Sequence, residues 1–351
     1  MPGELRGDSV EVKDPVEASQ IYNKGYYGYP RKGGGLDLDI LEAVFLFEAE
    51  RLVVHMGGPP LQLEELVHLA VKERPDFETQ YLVYRDLRQR GYVVKLDGGD
   101  FHFRVFPRGG SPTSSQTKAW VLVASERSSF RMEQMVEQAE MSERTRKELL
   151  LAVVDEEGDI TFYQAERLEP KGEISGEPQF EAAEGLLLDE CVLVFGDAQV
   201  EIMSKKGHYG KKVGKYLQLS FIEAAFLMDS DHLRLRSGST GRAIGQDTFT
   251  KRAKMVQPDF RLRFAAFKDL KARGLVVKTG FKYGTHFRVY EGDPGKHHAK
   301  YLVHAVPENY TTIWAEISRA IRLAHGVKKE VLFCRVQSPD VCYIMLKRVR
   351  P

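Results

Sequence analysis

The sequence predicts a mixed α/β (α+β) fold built as a tandem duplication, and three observations predict it. Motifs of the first half return in the second at a nearly constant offset of about 182 residues. In each half an aromatic-rich run at helical spacing stops at a glycine and leads into two short apolar runs separated by a glycine-bearing turn. A second helix-then-strand pattern closes each half.

The repeat is legible in four places. Lys24-Gly25-Tyr26-Tyr27-Gly28 returns as Lys206-Gly207-His208-Tyr209-Gly210, and Glu42-Ala43 as Glu223-Ala224. Pro75-Asp76-Phe77 returns as Pro258-Asp259-Phe260, and His102-Phe103-Arg104-Val105-Phe106 as His286-Phe287-Arg288-Val289-Tyr290. Phe77, Tyr81, Tyr84 and Leu87 share one stripe of a helix that Gly91 ends; Phe260, Phe264, Phe267 and Leu270 repeat it before Gly274. Strands then follow at Tyr92 to Lys95 and Leu275 to Lys278, each paired through a turn with a strand ending at Phe106 or Tyr290. The patterns at 132–146 and 313–325 predict helices, leading into buried strands at 149–154 and 331–336. Each half thus reads as a small helix-plus-hairpin domain followed by a second α/β domain. The boundaries expected are 1–96, 97–168, 185–279 and 280–351, joined by a Pro-, Gly- and Glu-rich linker at 169–184.

At 351 residues, 42% hydrophobic and 29% charged, the chain suits two or more globular domains. No apolar run is long enough for a bilayer, and the acidic N-terminus lacks the form of a secretory signal. Cys191, Cys334 and Cys342 have no metal-ligand spacing, and the last two sit in strand-like runs, which reads as buried free thiols. The expectation is a cytoplasmic protein with no membrane partner. A net charge of +1 gives nucleic-acid binding no support from composition. Basic residues bunch only locally, at Lys328, Lys329, Lys347, Arg348 and Arg350.

Divergence between the copies points to chemistry. Phe106 becomes Tyr290, gaining one hydroxyl, and the second copy adds a histidine pair, His297 and His298, before a strand. Matching Trp120 to Tyr301 sets Thr117 opposite His298, while Lys147 and Lys329 are shared. Only the second copy therefore combines Tyr290, His298 and Lys329. Singly, such residues are ordinary: a packed strand-end tyrosine, a hydrogen-bonded histidine, a solvated lysine at a helix end. His286, His304 and His325 keep that ordinary reading, and His286 has a counterpart in His102.

In combination they resemble a known family. Phe287-Arg288-Val289-Tyr290-Glu291-Gly292-Asp293, the block from His298 to Glu308 (HAKYLVHAVPE) and the block from Ile321 to Leu332 (IRLAHGVKKEVL) resemble, in order, three blocks of the archaeal tRNA-splicing endonucleases of two-repeat type. The resemblance covers nearly the whole chain. It implies a restriction-endonuclease-like mixed α/β domain in each half, and cleavage of precursor tRNA at intron–exon junctions within a bulge-helix-bulge motif. It assigns Tyr290, His298 and Lys329 as the catalytic residues, with His297 the alternative histidine, and implies neither metal nor cofactor.

These residue types suit the chemistry. RNA can be cut by attack of its own 2′-OH on the adjacent phosphorus. That needs an acceptor for the 2′ proton, a donor to the departing 5′-oxygen and a cation beside the phosphorane. By resemblance the roles fall to Tyr290, His298 and Lys329, giving 2′,3′-cyclic phosphate and 5′-OH ends. A free phenol titrates near pH ~10, so a tyrosine base calls for a nearby cation.

The resemblance further implies that Arg322, on the helix leading to Lys329, and a C-terminal arginine of a partner chain stack on a bulged base. Arg348 is the candidate, with Lys347 or Arg350 as alternatives. An acidic turn, Asp155-Glu156-Glu157-Gly158-Asp159, is matched in the second copy by Gln337-Ser338-Pro339-Asp340, with one carboxylate. By resemblance, Asp155, Glu156, Glu157 and Asp159 dock on another subunit and the chain is a homodimer. A plain polar hairpin turn is the alternative. Two other functions stay open on the residues alone: a tandem winged-helix-like nucleic-acid-binding protein, and a metal-dependent nuclease.

Overall fold

A computed structural model describes residues 1–174, 176, 180–337 and 340–351. Its centre is a ten-stranded sheet to which both copies contribute five strands. The first copy supplies β1 (Val94–Leu96), β2 (Phe103–Val105), β3 (Ala119–Ser125), β4 (Glu148–Val154) and β5 (Ile160–Arg167). The second supplies β6 (Val276–Thr279), β7 (Phe287–Tyr290), β8 (Tyr301–Pro307), β9 (Glu330–Gln337) and β10 (Asp340–Val349). The order across the sheet is β6-β7-β8-β9-β10-β5-β4-β3-β2-β1, so the copies meet at β10 and β5. That seam is antiparallel, from Phe162 opposite Val349 to Arg167 opposite Ile344.

Four helices flank this sheet: α1 (Phe77–Gln89), α2 (Met132–Thr145), α3 (Phe260–Ala272) and α4 (Trp314–Gly326). Phe77, Tyr84 and Leu87 of α1 are buried, and so are Phe260, Phe267 and Leu270 of α3. Gly91 (φ +85°) and Gly274 (φ +76°) take the left-handed backbone after each helix, as the spacing predicts. Helices α2 and α4 carry the chain between parallel neighbours, β3 to β4 and β8 to β9. Their core is common to both copies: the Phe130 ring meets Trp314 edge-on at 5.1 Å and lies 6.1 Å from Phe333.

Each half begins with its own smaller sheet, of five strands in the first copy and six in the second. The repeated glutamate fastens it to the large sheet. Glu42 accepts from the N–H groups of Gly28 (3.0 Å) and Asp39 (3.3 Å) and lies 4.0 Å from the buried Lys95. Glu223 does the same for Gly210 (2.8 Å) and Ser220 (3.0 Å), with Lys278 at 3.7 Å. Gly210 has φ +56°, and a Cβ there would lie 2.5 Å from the Gln218 carbonyl oxygen, so the repeated glycine permits this close approach.

The expected boundaries at 96/97 and 279/280 fall inside the β1–β2 and β6–β7 hairpins. Both strands of each hairpin belong to the large sheet, which groups α1 and α3 with the strands C-terminal to them. Within the linker, Ser175, Glu177, Pro178 and Gln179 lie outside the described residues. The part before them is anchored: Gly172 N–H donates to the Arg273 carbonyl (2.9 Å) and Glu173 N–H to that of Glu291 (2.6 Å). Cys191, Cys334 and Cys342 are free thiols; Cys334 is buried, which pushes it up to about 12, whereas Cys342, expected to be buried too, is half-buried. Among the described residues no helix is long and apolar enough to cross a membrane.

Candidate active site

Three neighbouring strands carry the predicted residues to one end of the sheet. β7 ends at Tyr290; β8, antiparallel to it, begins just after His298; β9, parallel to β8, begins just after Lys329. One row of hydrogen bonds ties these ends together: Lys300 N–H to the Val289 carbonyl and Glu330 N–H to the Lys300 carbonyl, both 3.0 Å. Lys328 adopts φ +55° in the tight turn after α4, and Lys329 N–H closes that turn on the Ala324 carbonyl (3.0 Å).

Alternation along β7 settles the facing. Phe287 and Val289 enter the core beneath α3, so Arg288 and Tyr290 lie on the opposite face. Tyr290 is 8% exposed and packs with Val276, Ala299 and Ile174 of the linker. Arg288 Cζ is 5.9 Å from its centroid, and Lys329 Nζ is 6.0 Å from the Tyr283 ring centroid. Lys300 pairs with Glu291 at 2.7 Å, a bond that raises the lysine above its ordinary range.

The histidine pair sits in a turn built on Asp293, whose carbonyl receives the Lys296 and His297 N–H groups (3.0 Å each). His297 lies over Gly292: a Cβ on that glycine would be 3.3 Å from His297 Cδ2. Both histidines are exposed. His286 and His304 do other work. His286 Nδ1 accepts from the Ala305 N–H (3.0 Å), as His102 does from Val123 (3.1 Å). His304 stacks on Phe333 at 5.4 Å, and burial, then the neighbouring His286, pulls it down to about 4.

The equivalent place in the first copy is a cavity of about 380 Å³ lined by Tyr29, Arg104, Phe106, Gln116, Thr117 and Lys147 among others. Register corrects one expected correspondence. Lys118 N–H bonds the Val105 carbonyl (2.8 Å) and Glu148 N–H the Lys118 carbonyl (3.1 Å), so Lys118 matches Lys300. Gln116, and not Thr117, therefore stands opposite His298. Its Oε1 accepts from Lys147 Nζ at 3.1 Å, so the lysine of this copy already has a partner. Trp120 and Tyr301 face opposite sides of the sheet, Trp120 packing against the core that α2 and α4 share and Tyr301 within the core beneath α3, which is why aligning them slipped the register by one.

Arg322 is exposed on α4, and Arg348 is exposed near the end of β10, opposite Tyr163. The turn after β4 is preformed: Asp155 Oδ1 accepts from the N–H groups of Glu157 (3.0 Å) and Asp159 (2.9 Å), with Gly158 at φ +84°. Glu156 pairs with Arg127, while Glu157 and Asp159 are exposed. In the counterpart turn, Ser338 and Pro339 lie outside the described residues. Arg288, beside Tyr290, has Arg104 as its counterpart in the first copy, in different surroundings.

Comparison with known proteins covers both copies. The family model described as "tRNA intron endonuclease, catalytic C-terminal domain" matches residues 77–162 and 260–343. Its companion, "tRNA intron endonuclease, N-terminal domain", matches 1–67 and 183–250. The chain is 36% identical to the tRNA-splicing endonuclease of Methanococcoides burtonii and 34% identical to that of Methanosarcina barkeri, each over 100% of both chains. Against the tRNA-splicing endonuclease of Halobacterium salinarum the identity is 31%, again over 100% of both.

Proposed function

Because the chain belongs to the tRNA intron endonuclease family, we propose that it excises introns from precursor tRNA, with one catalytic centre per chain at Tyr290, His298 and Lys329. The observation that carries this reading is the convergence of those residues on adjacent strand ends in the second copy, where the first has Phe106, Gln116 and Lys147. Tyr290 accepts the proton of the attacking 2′-OH, His298 protonates the departing 5′-oxygen, and Lys329 faces the charge that builds on the phosphorane. Packing against Val276, Ala299 and Ile174 fixes the Tyr290 ring at the end of its strand. His298 stands on an exposed turn, within reach of an incoming strand.

The substrate proposed is a bulge-helix-bulge RNA, and the active species a homodimer presenting two such sites. The test is cleavage of that RNA in excess chelator, with the ends analysed. Cutting that yields 2′,3′-cyclic phosphate and 5′-OH supports the reading. Cutting that stops with chelation points to a metal-dependent nuclease, and binding without cutting to a nucleic-acid-binding protein.

A further inference from the structure

Arg104 and Arg288 occupy one position in the two copies, each opposite a lysine in the neighbouring strand: Lys95 for Arg104, Lys278 for Arg288. Their surroundings differ. Arg104 has a carboxylate beside it, Asp97 Oδ1 at 3.7 Å from Nε, and its Nη2 donates to the Tyr29 hydroxyl at 3.3 Å. In the second copy both partners are gone. Gly280 takes the place of Asp97, each donating its N–H at 3.0 Å to the carbonyl of the repeated histidine. Lys211 takes the place of Tyr29: both follow the repeated glycine and pair with the next strand at the same register, Tyr29 opposite Asp37 and Lys211 opposite Gln218.

The consequence is electrostatic. Moving from the silent copy to the other, this wall loses the carboxylates of Asp97 and Asp37 and gains the ammonium of Lys211. Nε is buried and unbonded in both arginines, but Arg104 keeps the Asp97 carboxylate and the Tyr29 hydroxyl, whereas among the described residues no side chain ion-pairs or hydrogen-bonds with Arg288. Arg288 is half-buried, and a guanidinium with no carboxylate beside it can take an anion arriving from outside. Arg288 shares a face with Tyr290, so the anion it takes lies beside the reacting group. Guanidinium forks match phosphate oxygens, and an exposed lysine adds a point charge.

Resting on the function proposed above, we propose that Arg288 and Lys211 bind a backbone phosphate of the RNA next to the scissile one, making them substrate-binding residues of the second copy alone. The contact is to phosphate, so it serves every precursor equally and carries no sequence preference.

The test is binding of a bulge-helix-bulge RNA made uncleavable by 2′-deoxy substitution at the cut sites, titrated between about 50 and 200 mM salt. Arg288→Gln should weaken binding roughly tenfold and lower the slope of log Kd against log salt by about one. Arg288→Lys should recover the slope and part of the affinity. Lys211→Tyr, which copies the first half at an exposed position, should weaken binding by about threefold, and Arg104→Gln should leave it unchanged. Wild-type affinity and slope in Arg288→Gln would overturn the proposal. Should Arg288→Gln fail to fold, Lys211→Tyr decides: an unchanged slope overturns it equally. If the wild type binds the deoxy RNA through Arg288 yet never cuts the all-ribose form, the proposed function fails and this contact stands. Normal cutting with no Arg288 dependence does the reverse.

Discussion

Lys147 donates to an amide in one copy, and its counterpart in the other has a histidine at the matching place. A glutamine there can hold the ammonium but cannot deliver a proton to a leaving oxygen. His298→Ala should therefore slow single-turnover cleavage by about 10²–10⁴-fold while leaving RNA affinity nearly unchanged. Lys147→Ala should leave the rate alone. A normal rate in His298→Ala, or loss only in His297→Ala, would hand the role to the neighbouring ring. Arg322, exposed on α4, is tested by keeping its charge. Arg322→Lys removes the flat stacking surface and should impair cutting at bulges more than overall RNA binding; equal effects would reduce it to a phosphate contact. The residues proposed for catalysis stood out in the Tyr290/Phe106 contrast and in the histidine pair. The one-residue slip at Gln116 was not, because matching two aromatics ignores which face of a strand each occupies.

At the scale of elements, helices and central strands read cleanly because each carries a full period of apolar residues. Leu149 to Val154 is buried on both faces, as expected of a strand deep in a sheet. The small N-terminal sheets were less legible, since several of their strands span only two to four residues, too short for alternation to register. What does stand out there is the repeated glutamate, whose work only the structure reveals. Glu42 bridges the glycine loop, its own helix start and Lys95. Removing it leaves two N–H groups without their acceptor and the buried Lys95 with only the carbonyl oxygens of Tyr26 and Gly28. Glu42→Ala should cost about 3–5 kcal/mol in urea unfolding. A change below about 1 kcal/mol, the scale of a surface pair, would show that the latch is not needed.

For the whole molecule, each chain joins its two copies along β5 and β10, and the acidic turn after β4 stays outside that seam with Glu157 and Asp159 exposed. Excising an intron takes two cuts, and the single centre proposed for each chain calls for two chains. A two-fold dimer is the commonest way to supply them. Neutralising Asp155, Glu156, Glu157 and Asp159 together should weaken the dimer and lower activity, most at low protein concentration. Sedimentation checks both halves of the idea. A fully active wild-type monomer removes the dimer, whereas an unchanged dimer in the neutralised protein removes only the turn as its cause.

The seam between β5 and β10 also has a history in time. On the ribosome β5 emerges long before Ile344 to Val349, and until then one side of it is an open edge that invites any complementary strand. Two nascent or unfolded chains can exchange their last strands and still satisfy every backbone bond. Renaturation from denaturant should thus yield more swapped dimer and aggregate as concentration rises, measurable by light scattering during dilution. A fragment of residues 1–168 should self-associate when made alone and become soluble when the second half is supplied in trans.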